Sequence, residues 1–186
     1  MSLVWPVDDV YVCAELYWMP ADKVRTLTRE HGRPYDVWCR KGWIRAIPGP
    51  VVDHRIVRDD ILKLRKIFDI GQVRFDPAFA DTISQQLSED GLEMVEFGQT
   101  AGWYNEPTRE LLNFLLQRRM AHEDNPVSNF NADCMSVKAD DKDQIKPVKP
   151  DRFKAKKRID GIVARIMALD GALRNKPSAV PGFMFL

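Results

Sequence analysis

Between His54 and Phe97 the chain switches repeatedly between two hydrophobic periods, and few folds accommodate that alternation. In "HRIVRDDILKLRKIFD" apolar residues recur at Val57, Ile61, Leu64 and Phe68, the stripe of an amphipathic helix. Asp53, just before it and after the Pro48-Gly49-Pro50 turn, reads as its N-cap. A short strand follows at Gln72–Phe75, then a helix carrying Ala80, Ile83 and Leu87 that ends near Gly91, then a strand over Leu92–Phe97. Strands joined by a crossover helix lie parallel with the helix on one face, so this stretch predicts an α/β layer.

The flanking segments extend that layer. Val10, Val12, Ala14, Leu16 and Trp18 share one face at period two, which predicts a strand ending at Met19-Pro20. "SLVWP" before it reads as the last part of another strand, turned back at Asp8-Asp9, so a hairpin opens the chain with its first strand cut short. A helix is expected over Ala21–His31, a break at Gly32-Arg33-Pro34, and packing of the aromatics in "YDVWCRKGWI" under a loop. Asn105 and Pro107 open a further helix with Leu111, Leu112 and Leu115 on one side. A hairpin around Asp140–Asp143 comes next, and "KKRIDGIVARIMAL" begins a last helix that runs to about Leu173. Two prolines without a period leave the C-terminal stretch irregular. The expected division is one domain over 1–174 and a tail over 175–186.

A chain of 186 residues with 45% hydrophobic content can bury one sizeable core and is not a disordered segment. No apolar run nears the ~20 residues that span a bilayer, so no membrane partner is expected. The N-terminus lacks a basic region followed by a long apolar one, which reads as an intracellular setting. Cys13, Cys39 and Cys134 form no CxxC pair, arguing against a disulfide framework and against a zinc site. The net charge of +1 hides an uneven distribution. From Lys138 to Arg158 nine Lys or Arg stand against four Asp. Such a run is either a solvated face or a surface for phosphates.

Two acids stand where chemistry is expected. Asp76 ends a predicted parallel strand and Pro77 prevents its continuation; in open α/β sheets ligands gather beyond the carboxyl ends of strands. An Asp-Pro pair is equally a turn former. Asp160 falls in the first turn of the last helix, where the macrodipole alone favours a carboxylate by ~0.3–1 kcal/mol. The apolar stripe there is Ile159, Ile162, Val163, Ile166, Leu169 and Leu173, whereas Asp160 shares its side with Ala164, Met167 and Gly171. Carboxylates from a strand end and a helix start could bind Mg²⁺ or Mn²⁺, with Lys and Arg nearby holding phosphates. No GxxxxGK[ST], GxSxG or HExxH occurs, and His31, His54 and His122 are scattered.

The ordered series "YWMP", "PYDVWCRKGWI", "PGPVVDHRIV", "VRFDPAFA", "FGQTAGWYNEPTREL", "AHEDNPVSNFNAD" and "KRIDGIVARIMAL" resembles the nuclease domain of the large terminase subunit of tailed bacteriophages. The similarity runs from Val10 to about Leu173. It implies a ribonuclease H-like mixed sheet flanked by helices, N-terminally truncated, and a metal-dependent endonuclease that cuts concatemeric viral DNA during packaging. Three acids build the metal site in that family. Asp76 in "RFDP" and Asp160 in "RIDG" match the second and third, as catalytic and metal-binding residues for a two-ion Mg²⁺ or Mn²⁺ site. The first belongs to a strand expected ahead of "SLVWP"; Asp8 and Asp9 are in a turn. Lys146, Lys149, Lys154, Lys156, Lys157 and Arg158 are the expected contacts to double-stranded DNA. The resemblance also implies the phage portal and small terminase subunit as partners, in the cytoplasm of a host bacterium. Asn125 and Asn131 read as loop builders. Two alternatives stand beside the nuclease: a catalytically silent DNA- or portal-binding module of a degraded prophage terminase, and a recombinase-type nuclease.

Overall fold

The structure, a computed structural model, describes residues 1–78, 81–150 and 157–175. The chain opens on an antiparallel hairpin of β1 (Ser2–Val7) and β2 (Val10–Glu15). Its turn is Asp8-Asp9, with Asp8 at φ 52°, the left-handed conformation that a two-residue hairpin needs and Asp tolerates. β1 pairs with the whole of β2, from Ser2 opposite Glu15 to Val7 opposite Val10, so it is not cut short against its partner. Reciprocal bonds between Met1 and Leu16 add one more pair. Because bonded pairs alternate, the backbone groups of Ser2, Val4 and Pro6 turn toward the other edge of β1. Among the described residues no strand occupies that edge. Pro6, which has no N–H, is tolerated at such an edge.

The predicted strand over Val10–Trp18 is in fact two. Beyond Glu15 the chain leaves the first sheet, and β3 (Trp18–Pro20) pairs in a second. Helix α1 (Ala21–His31) is as predicted and stops at Gly32, whose φ of 62° is the left-handed cap. The aromatics expected under a loop form a helix of their own, α2 (Tyr35–Arg40), which buries Tyr35 and Trp38. β4 (Arg45–Ile47) lies parallel to β3. Helix α3 (His54–Arg65) begins where Asp53 Oδ1 accepts from the Arg55 N–H at 2.9 Å, so Asp53 is the N-cap.

The α/β alternation is present as predicted. β5 (Val73–Phe75), α4 (Asp81–Glu89) and β6 (Met94–Glu96) form a unit with β5 and β6 parallel. Ala80 lies outside the described residues. Helix α5 (Ala101–Leu116) starts after Thr100, earlier than the Asn105-Pro107 signal suggested. Pro107 sits inside it, fully buried, where it removes one helix bond and shapes the packed face. That face is Tyr104, Thr108, Leu111 and Phe114; Leu112 and Leu115 are exposed, contrary to the expected stripe. β7 (Met120–His122) returns parallel to β2, and α6 (Pro126–Asp133) follows. β8 (Ser136–Ala139) and β9 (Ile145–Val148) make the expected hairpin, its turn held by Asp140 Oδ1, which accepts from Lys142 and Gln144 N–H. The last helix is α7 (Asp160–Arg174).

The result is a mixed α/β fold. One sheet has the order β1-β2-β7, and β5-β6 is a separate pair. Helix α7 packs on β1, β2 and β5 and against α5 and α6, so it spans both. Ile162, Ile166 and Leu169 of α7 join Phe97, Leu111, Met120 and Phe130 in the main core. Ile61, Leu87 and Leu92 centre a smaller cluster between α3 and α4. All three cysteines are free thiols; Cys13 and Cys134 are buried and Cys39 is half-buried. Burial pushes the Cys13 thiol up to about 11, with Arg165 acting against it. No described helix is long and apolar enough to cross a membrane.

Candidate active site

Asp76 is the first residue after β5, half-buried, and its Oδ1 accepts from the Ala78 N–H at 2.9 Å. The turn-forming role of the Asp-Pro pair is therefore realised, and Oδ2 has no described protein donor. Asp76 is near enough to Tyr104 to act on its phenol, which burial first, and then this charge, push up to about 12. The Tyr104 hydroxyl donates to Gln99 Oε1 at 2.6 Å.

Asp160 is the first residue of α7 and is exposed. The preceding Ile159 has no side chain that can cap the helix. The cap comes instead from another element: Asn131 Oδ1 on α6 accepts from the Gly161 N–H at 2.9 Å. Asn131 Nδ2 donates to the Val127 carbonyl at 2.8 Å, which fixes the amide. Gly161 is required at this point, because a Cβ there would overlap the Tyr17 hydroxyl. Tyr17 in turn shares a hydrogen bond with Ser128 at 3.0 Å.

One turn further along α7, Arg165 Nε donates to Glu15 Oε1 at 2.7 Å, with both side chains at least nine-tenths buried. Burial works to raise the Glu15 pKa, but Arg165, Ser128 and Ser2 together bring it below the ordinary value. At the far end of the helix Arg74 Nη1 lies 2.8 Å from Asp170 Oδ2. Their approach is an ion pair without hydrogen-bond alignment, since Asp170 Oδ2 has no hydrogen-bond partner. Arg174 Nε donates to Asp170 Oδ1 at 2.9 Å and Arg174 Nη2 to Glu106 on α5.

Of the two acids, Asp76 lies at the carboxyl end of a parallel strand and Asp160 at the start of a helix. Asp76 directly follows β5, and Gly161, the residue after Asp160, packs closely on Tyr17 just beyond β2. The Arg74–Asp170 pair joins the strand that carries one acid to the helix that carries the other. Among the described residues no group of three His, Cys, Asp or Glu converges to hold a metal ion.

Of the predicted DNA contacts, Lys146 and Lys149 are half-buried in and after β9, and Lys157 and Arg158 are half-buried just ahead of α7. Lys154 and Lys156 lie outside the described residues. Asn125 is no mere loop builder. It caps α6, accepting from the Val127 N–H at 2.9 Å. Sequence reasoning missed Glu15, Arg74, Arg165 and Asp170. The available signal was Arg165 and Asp170, charged residues embedded in an apolar helix.

The model of the family described as "Terminase large subunit, endonuclease domain" matches residues 1–176. The large terminase subunit of Enterobacteria phage HK97 is 32% identical over 167 residues, covering 89% of this chain and 32% of that protein. Protein YmfN of Escherichia coli strain K12 is 28% identical over 170 residues, 88% of this chain and 36% of its own length. The crystal structure of the HK97 bacteriophage large terminase superposes with a TM-score of 0.81 at 31% identity, over 91% of this chain and 35% of that one. This chain thus spans about a third of the length of each relative. With that coverage and a mixed α/β core of matching shape, the chain belongs to the terminase large subunit endonuclease-domain family.

Proposed function

We propose that this chain is a ribonuclease H-like, metal-dependent DNA endonuclease domain that cuts concatemeric phage DNA during genome packaging. The observation that carries the proposal is the pair of acids, Asp76 at the carboxyl end of β5 and Asp160 at the start of α7, on two elements joined by the Arg74–Asp170 ion pair. Mg²⁺ and Mn²⁺ take oxygen ligands, and Mg²⁺ is commonly held by one or two carboxylates, with water and substrate phosphates completing its shell. The half-buried Asp76 and the exposed Asp160 fit that demand. A bound ion of this kind lowers the pKa of its water and stabilises the leaving oxygen of a phosphodiester. The protein's part is to hold the two carboxylates in place: Asn131 anchors the start of α7, Glu15 its first half and Arg74 its second.

A third acid, from a strand laid against the open edge of β1, completes a two-ion site in this reading. The edge of β1 that carries the outward backbone groups of Ser2 and Val4 has no strand against it among the described residues, which supports it. Lys146, Lys149, Lys154, Lys156, Lys157 and Arg158 contact double-stranded DNA through its backbone, which predicts strong salt dependence. The portal and the small terminase subunit are the further partners, in the host cytoplasm. The specific observation favouring a silent DNA- or portal-binding module is that no three-ligand group converges among the described residues.

Calorimetric titration with Mn²⁺ separates the two readings. Binding by the parent that disappears in Asp76→Ala and in Asp160→Ala is expected for the nuclease. Absence of binding, or binding that both variants retain, sinks the site assignment.

A further inference from the structure

We propose that the cleft beyond the carboxyl ends of β2 and β7 receives an unpaired nucleotide of the DNA, stacked on Trp43 with its phosphate held by Lys41. The inference rests on the nuclease reading and names a contact surface outside the basic segment ahead of α7. The cleft has a volume of about 510 Å³. That is the size of a small-molecule site. Tyr17 is part of its wall and also abuts Gly161, so the cleft opens next to the helix turn that bears Asp160.

With Glu15 neutralised by Arg165, two carboxylates of the cleft, Asp60 and Glu123, stand against three cations, Lys41, Arg45 and Lys63, an excess of one positive charge. Glu15 is committed to Arg165 and Ser128. Glu123 accepts from Asn125 Nδ2 and from the Glu15 N–H. Asp60 is met by Trp18 Nε1 at 2.9 Å and by two cations, Arg45 and Lys63, so one carboxylate faces two positive charges. Lys41 is exposed and makes no ion pair among the described residues. A phosphate is the complementary group.

The aromatic wall selects a base rather than a free anion. Trp43 is half-buried and follows Gly42, whose φ of 80° turns the chain out of α2. Three backbone bonds fix this loop: Lys41 N–H to Val37, Gly42 N–H to Cys39 and Trp43 N–H to Trp38. The backbone that carries Trp43 and Lys41 is therefore a fixed turn, and Trp43 is steadied further by packing in part against the main core, which lowers the ordering cost of binding. Leu64 and the exposed Ile67 complete an apolar side. Aromatic faces beside cations are how proteins hold single strands without reading sequence.

Fluorescence anisotropy with a labelled single-stranded oligonucleotide and its duplex, in chelator so that nothing is cut, tests this. Trp43→Ala is expected to weaken single-strand binding about 5-fold or more, and Trp43→Phe to restore most of it. Lys41→Glu should lower the slope of log affinity against log salt by about one unit. Lys23→Glu, on α1 and outside both the cleft lining and the basic run, serves as the comparison and should leave the single-strand affinity as it was. If Trp43→Ala and Lys41→Glu bind the single strand as tightly as the parent while melting normally, the proposal is overturned. A parent that binds neither oligonucleotide removes the nuclease reading and this one together. Loss of binding in the cleft variants, with Mn²⁺ binding unaffected by Asp76→Ala and Asp160→Ala, supports the cleft and sinks only the metal site.

Discussion

Glu15 and Arg165 are the pair whose sequence positions say least and whose environment says most. Each side chain is more than nine-tenths buried, so removing one partner leaves a charge without compensation. Arg165→Met is expected to lower stability by about 3–5 kcal/mol at neutral pH. The sign of its pH dependence follows from the lowered Glu15 pKa. Stability from the pair is complete above the ordinary value of 4.5 and is lost as pH falls below it toward the folded-state value. Thermal melts of parent and variant should therefore converge as pH drops below 4.5, and parallel curves down to pH 3 would refute the assignment. At this scale Asp76 and Asp160 could be singled out from sequence, because a strand end and a helix start are local features. The ion pairs could not, since Glu15 and Arg165 lie 150 residues apart.

The same limit of locality separates the elements that were legible from those that were not. Helices α1, α3 and α7 have a full period of apolar residues within their own length, and the opening hairpin has a turn that announces itself. β3, β4 and β7 have three residues each, too few to display a period, and their pairing partners are distant in the chain. Helix α5 was misplaced because Pro107 reads as a helix start, yet here it lies in the buried interior. Between elements, the β5–α7 clamp is the contact to probe. Asp170→Ala, which leaves the buried Arg74 without its partner, is expected to cost about 3–5 kcal/mol in urea denaturation, and Arg74→Ala less because Arg174 still holds Asp170, whereas the double variant Arg74→Met/Asp170→Leu should recover most of the Asp170→Ala loss. A double variant as weak as the singles would show that packing, and not an uncompensated charge, sets the penalty. Asn131→Ala, which strips the borrowed cap from α7, should cost about 1–2 kcal/mol in the same assay.

For the molecule as a whole, the separation of β1-β2-β7 from β5-β6 makes α7 the common support of both. Ile166 is fully buried at the middle of that helix. Ile166→Ala is expected to cost about 2–5 kcal/mol, and hydrogen exchange should quicken in both sheets together. Acceleration confined to one sheet would mean that the two open independently.

The buried thiol between β2 and β7 gives that expectation a clock already present in the chain. Cys13 Sγ rests 3.4 Å from the Ala121 carbonyl, across the strand pair that must part before a reagent can reach it, while Cys39 sits nearer the surface. Alkylation of the unmodified protein should consume Cys39 first. Cys13 should follow only at the frequency with which the sheet comes apart, so its labelling rate is a stopwatch for opening that needs no engineered probe.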